Sequence, residues 1–148
     1  MTSRQDRVLT MPEINGVLET QLWVEDLERS LRFYQEVFGC QQIDGGPDRL
    51  IALSIEDRQV LLLAKKGASK EPTVLPGGTI PPIDGAGPSH LAFSISQDQL
   101  ATWEEWLSEK NIEIESKVSW VRGGTSLYFR DPDGHLLELG TPGIWTIY

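Results

Sequence analysis

The sequence is short of the residues that staple, anchor or bind phosphate. It has one cysteine, Cys40, so no intramolecular disulfide can form, which suits a reducing, cytoplasmic compartment. No apolar run approaches the ~18 residues of a membrane helix. Met1 to Gly16 contains no apolar stretch of secretory type, so neither a membrane partner nor a signal is expected. Basic residues are few: 13 Lys and Arg against 22 Asp and Glu, a formal charge of −9. A general phosphate-binding surface needs the opposite sign, which argues against a nucleic-acid partner. Histidine occurs only twice, at His90 and His135. What is present is an ordinary globular balance, 39% hydrophobic and 24% charged, in 148 residues. That is one domain, or two small modules fused.

Five prolines and four glycines fall within residues 68–88. This stretch reads as a connection between two halves, long enough to border a site. The halves share a grammar. In the first, a strand over residues 17–24 is followed by a helix. Asp26 is its N-cap, Leu27, Leu31, Tyr34 and Phe38 recur at helical spacing, and Gly39 stops it. Strands are then expected over 40–44, 49–55 and 59–65, separated by Gly45-Gly46-Pro47 and Glu56-Asp57. In the second, a strand over 90–95 precedes Ser96–Gln99, which has the form of a capping box. Leu100, Trp103 and Leu107 then line a helix, with Asn111 in the stop position. Strands are expected over 112–120, 125–130 and 135–139. The order is strand–helix–strand–strand–strand, twice, an α+β class with a mostly antiparallel sheet. The divisions read as an extension (1–16), a first module (17–67), the connection (68–88), a second module (89–142) and an apolar tail (143–148).

Strand alternation assigns faces. Leu18, Leu22, Val24, Leu91, Phe93, Leu127, Phe129, Leu137 and Leu139 face the helices. The opposite face carries Glu19, Gln21, Trp23, His90, Ser94, Ser126, Tyr128 and Glu138. That face is too polar for a core and too aromatic for a plain solvated surface; it suits a small-molecule pocket. Two carboxylates and an imidazole converging there call for a cation, and a divalent metal is the economical one. His135 has the parity of Leu137 and reads as structural or surface.

At these residues the chain resembles the vicinal oxygen chelate superfamily, which joins glyoxalases, bleomycin-resistance proteins and extradiol dioxygenases. The matching segments are "VLETQLWVEDLERSLRFYQEVFG", "SHLAFSIS" and "GGTSLYFRDPDGHLLELGTPG". The resemblance implies two βαβββ modules whose eight strands form a curved cup around one metal. It implies ligands at three positions. One lies seven residues before the Asp of "V-x-D-L-x-R-S", which is Glu19; the His of "H-x-A-F" is His90; the Glu of "DPDG-x-x-x-E-L" is Glu138. Family members commonly carry His or Gln where Glu19 stands. That harder donor weakens the extradiol-type dioxygenase alternative and favours Mn²⁺, Mg²⁺, Ni²⁺ or Zn²⁺ over Fe²⁺, the fifth candidate.

The resemblance thus implies a glyoxalase-like lyase or isomerase. Its metal would act as a Lewis acid on a small oxygen-chelating substrate. Glu138, Glu19 or Tyr128 would move the proton, and Gln21, Trp23, Ser94, Ser126 and Trp120 would contact substrate. Two alternatives stand beside it. One is an epoxide-opening antibiotic-resistance activity, disfavoured for a phosphonate substrate because no Arg or Lys follows Arg130. The other is a non-catalytic drug-binding protein whose cup is lined by Trp23, Trp120, Trp145 and Tyr148. One half alone leaves an open concave face, which two halves can close within a chain or between two chains; the resemblance favours a homodimer, with Glu19 from one chain and His90 with Glu138 from the other.

Overall fold

The computed structural model describes residues 10–148; the first nine residues of the expected N-terminal extension lie outside the described residues. The first module runs β1 (Glu19–Val24), α1 (Leu27–Phe38), β2 (Gln41–Gly45), β3 (Leu50–Ile55) and β4 (Gln59–Lys65). A hairpin follows, β5 (Thr73–Leu75) and β6 (Gly78–Ile80). The second module runs β7 (His90–Ser94), a 3₁₀ turn (Gln97–Gln99), α2 (Leu100–Glu109), β8 (Ser116–Ser119), β9 (Thr125–Arg130) and β10 (Leu136–Gly140). The α+β class and the repeated strand–helix–strand–strand–strand order hold. The eight module strands form two separate four-stranded sheets, ordered β1-β4-β3-β2 and β7-β10-β9-β8. In each, only the first strand runs parallel to its neighbour, because the helix returns the chain across the sheet before the last three strands meander.

Local chemistry sets the ends of α1. Asp26 is extended, and its side chain accepts from the Arg29 amide at 3.0 Å. Gly39 adopts φ 68°, a left-handed conformation that costs glycine nothing, and its amide closes on the Gln35 carbonyl. Asn111, at φ 57°, plays the same part after α2. The Glu56-Asp57 turn joins β3 to β4 with both residues at positive φ, held by a Ser54 hydroxyl bond to Asp57.

Four expectations change. β1 starts at Glu19, since Leu18 pairs only through its carbonyl to Val60 and its side chain is exposed. The Ser96 capping box does not form; its hydroxyl makes no cap bond, and a 3₁₀ turn leads into α2 instead. The strand expected over 112–120 shrinks to Ser116–Ser119. Ile112 is still tied back to the Leu107 carbonyl, and Trp120 turns away to bond Gly124. The connection is not wholly irregular, because residues 73–75 pair with residues 78–80 across Pro76-Gly77.

The modules pack through their helix-bearing faces. Phe38 of α1 stacks on Phe93 at 4.6 Å between ring centroids and lies 6.1 Å from Phe129 and 5.7 Å from Trp103. Leu22, Leu53, Leu61 and Leu63 from the first sheet and Leu127, Leu137 and Leu139 from the second are buried in the same core. Each fully buried leucine contributes about 2 kcal/mol of transfer free energy. Among the described residues no helix is long and apolar enough to cross a membrane.

Candidate metal centre

With the apolar faces turned inward, the opposite face of each sheet is left open. On the second sheet, β7 and β10 lie side by side, with His90 opposite Leu136 and Ala92 opposite Glu138. β9 sets Tyr128 directly across from Glu138 and Ser126 across from Gly140. His90 Nε2 lies 3.1 Å from Glu138 Oε1. His90 Nδ1 lies 2.8 Å from the Leu136 carbonyl oxygen, which can only accept, so Nδ1 carries the hydrogen. In a neutral ring Nε2 is then a lone pair facing a carboxylate oxygen, and a cation binding both would relieve that contact. Backbone carbonyls commonly fix a metal-binding imidazole in this way. The donor set therefore fits a divalent ion.

Behind the pair, Glu138 is buried while the His90 side chain is 49% exposed. The Ser126 hydroxyl, fully buried, donates to Glu138 Oε2 at 2.6 Å, and the Trp120 indole N–H donates to Ser126 Oγ at 2.8 Å. Tyr128 stacks beside His90 at 6.3 Å between ring centroids. Burial first, and the Glu138 carboxylate second, push its phenol above the ordinary value, so it remains a hydrogen donor at neutral pH.

The other expected residues lie on the first sheet or at its margin. Glu19, at the exposed start of β1, pairs through its backbone with Val60; Gln21 and Trp23 follow on the same face. Among the described residues no third carboxylate, imidazole or thiol joins His90 and Glu138 within the chain. One chain thus brings together His90, Glu138, Ser126, Trp120 and Tyr128, and Glu19 does not join His90 and Glu138 there. Ser94 is exposed at the end of β7. The connection borders the first sheet: Gly85 lies against the Trp23 indole, where any side chain would collide with the ring.

His135, expected to be structural or surface, is buried. Its Nδ1 accepts from the Ser89 amide at 2.7 Å, and Nε2 donates to the Trp23 carbonyl at 2.7 Å. The residue that reasoning gave a different part is Ser126, placed in contact with substrate. Its hydroxyl is committed to Glu138, and the signal available was its position two residues from Tyr128 on the same face of β9.

Residues 16–139 match the family model of the Glyoxalase/Bleomycin resistance protein/Dioxygenase superfamily. The chain is 28% identical over 130 residues to the metallothiol transferase FosB of Staphylococcus epidermidis, covering 87% of this chain and 83% of that one. It is 29% identical over 127 residues to the fosfomycin resistance protein FosX of Listeria innocua, covering 85% and 89%. Among solved structures, a lactoylglutathione lyase from Agrobacterium tumefaciens superposes with a TM-score of 0.82 at 27% identity, covering 91% of this chain and 99% of that one.

Proposed function

This chain belongs to the glyoxalase, bleomycin resistance protein and dioxygenase superfamily, and from that premise we propose that it is a metal-dependent enzyme acting on a small substrate with two neighbouring oxygens. When bound, a divalent ion would supply Lewis-acid polarisation of those oxygens and stabilise negative charge developing on them. His90 would hold it through Nε2 and Glu138 through Oε1. Glu19 of the partner subunit would supply the third donor in a homodimer. Tyr128 would donate a hydrogen bond to substrate or pass a proton, since its phenol stays protonated. Gln21, Trp23 and Ser94 would line the walls. The observation that carries this reading is the 3.1 Å approach of His90 Nε2 to Glu138 Oε1, with His90 Nδ1 and Glu138 Oε2 already bonded elsewhere.

The names of the sequence relatives favour a second reading, an epoxide-opening resistance activity. The second sheet argues against an anionic phosphonate substrate. The two cations on its strands, Lys117 and Arg130, are engaged by Glu104 at 2.9 Å and Glu115 at 2.8 Å. A cytoplasmic setting accords with Cys40, which is free and buried, its thiol pushed up to about 11 by that burial.

Metal analysis tests the proposal. Purified protein should bind about one Mn²⁺ per chain, and His90→Ala should lose most of that affinity, because a site short of one donor cannot be completed. Wild-type affinity in His90→Ala would refute the assignment. Turnover of fosfomycin with a thiol or water, at rates typical of an enzyme, would replace the first reading with the second.

A further inference from the structure

Glu138 has two carboxylate oxygens, and the second sheet treats them differently. Oε1 faces His90 Nε2 at 3.1 Å. Oε2 is drawn the other way, along the strand toward Gly140; a Cβ there would only touch Oε2, at 3.6 Å, but would press on Ile144. Ser126 Oγ meets Oε2 at 2.6 Å, a short bond of the charge-assisted kind. The direction of each bond is fixed. An indole N–H can only donate, so Ser126 Oγ accepts from Trp120 at 2.8 Å, and the serine hydrogen is free to go to the carboxylate, which accepts. Ser126 is fully buried, so water does not compete for it, whereas Trp120 keeps a ring edge in solvent at 39% exposure.

We propose that Trp120 and Ser126 are positioning residues that hold Glu138 Oε2 in series and so present Oε1 alone to the metal, as a one-atom ligand. The inference rests on the metal reading above. It also changes what the two residues offer a substrate: with the hydroxyl and the indole N–H both committed, only the exposed indole ring remains for contact. Outer partners that hold a liganding carboxylate or imidazole typically govern metal affinity by about 10- to 100-fold.

The experiment is a Mn²⁺ titration of the full-length, metal-stripped protein, read by the electron paramagnetic resonance signal of free Mn²⁺. Ser126→Ala should weaken binding about 10- to 100-fold, and Ser126→Thr, which restores a hydroxyl, should recover most of it. Trp120→Phe keeps the packing and removes one donor, so it should cost only a few-fold. Because Trp120 acts through Ser126, the double variant should bind no worse than Ser126→Ala. A folded Ser126→Ala protein with wild-type affinity overturns the inference, and so does a double variant whose loss is the sum of the two single losses. If Ser126→Ala does not fold, Trp120→Phe decides, and unchanged affinity there overturns it. Wild-type protein that takes up no Mn²⁺ defeats the metal reading and this inference with it; the other failures leave that reading standing.

Discussion

Asp131 shows what a single buried side chain does for this fold. Its Oδ1 accepts from the amides of Asp133 and His135, closing the Asp-Pro-Asp-Gly turn on itself, and its Oδ2 accepts from the Tyr34 hydroxyl of α1 at 2.8 Å. Burial raises its carboxyl above the ordinary value, while the Tyr34 hydroxyl and the His135 amide pull the other way. A carboxyl held above its unfolded value keeps its proton more tightly when folded. Stability therefore falls as pH rises from the unfolded value through the folded one, and the whole cost is present above that window. Tyr34→Phe removes one of the opposing pulls. It should destabilise the protein by about 1–3 kcal/mol at neutral pH, and the gap from wild type should narrow in acid, where the carboxyl is protonated in both. Urea denaturation at the two pH values checks this; an equal gap at both would mean that Asp131 plays no part. At this scale the sequence was legible where alternation alone decides. His90 and Glu138 follow from strand parity. The bonds of His135 and Tyr34 do not, because their partners lie 112 and 97 residues away and depend on how the two modules dock.

At the scale of elements, α1 starts with two acids rather than one. Asp26 caps it from within. Asp133, delivered by the turn between β9 and β10, accepts from the Glu25 amide at 2.9 Å and from the Ser30 hydroxyl at 3.1 Å, with the Arg29 guanidinium at 3.3 Å. These bonds go to the residue before the cap and to two side chains, and a carboxylate beside a helix N-terminus complements its dipole. Asp133→Ala should therefore cost about 1–3 kcal/mol in chemical denaturation, with Asp133→Asn losing less because an acceptor remains. A loss within about half a kcal/mol would reduce the contact to a surface detail. Asp26 and Gly39 could be read from the sequence because cap chemistry is local. Asp133 could not, since nothing near α1 announces a partner supplied by the other module. The same distinction explains the elements that changed. Ser96 has the form of a cap, but the chain enters α2 through a 3₁₀ turn and leaves its hydroxyl unused. The β5–β6 hairpin was hidden because prolines and glycines dominate residues 68–88 and its strands are only three residues each.

At the scale of the whole molecule, the packing that builds the core also separates the ligands. The helix-bearing faces of the two sheets meet through Phe38, so the open faces, with Glu19 on one and His90 and Glu138 on the other, do not share a site within the chain. The proposed ligands were selected by alternation and by the resemblance together, but which copy would supply each depends on packing between the modules. A second copy related by a twofold axis would bring each half-cup against its complement and close two equivalent sites. The exposed Trp145 and Ile147, beside Tyr148 docked on the Ile95 carbonyl, would then cover the subunit boundary. Mixing Glu19→Ala and His90→Ala proteins under conditions that exchange subunits tests the arrangement. Each parent should bind Mn²⁺ poorly, since every site in it lacks a donor. A heterodimer should recover one tight site, because Glu19 of the His90→Ala chain and His90 with Glu138 of the Glu19→Ala chain meet at the same pole. The opposite pole loses both donors and should stay empty. Recovery of about half the wild-type metal per dimer is thus the expected reading. Verified heterodimers with no recovered site would place each centre within one chain, and a protein that stays monomeric at micromolar concentration would remove the shared site altogether.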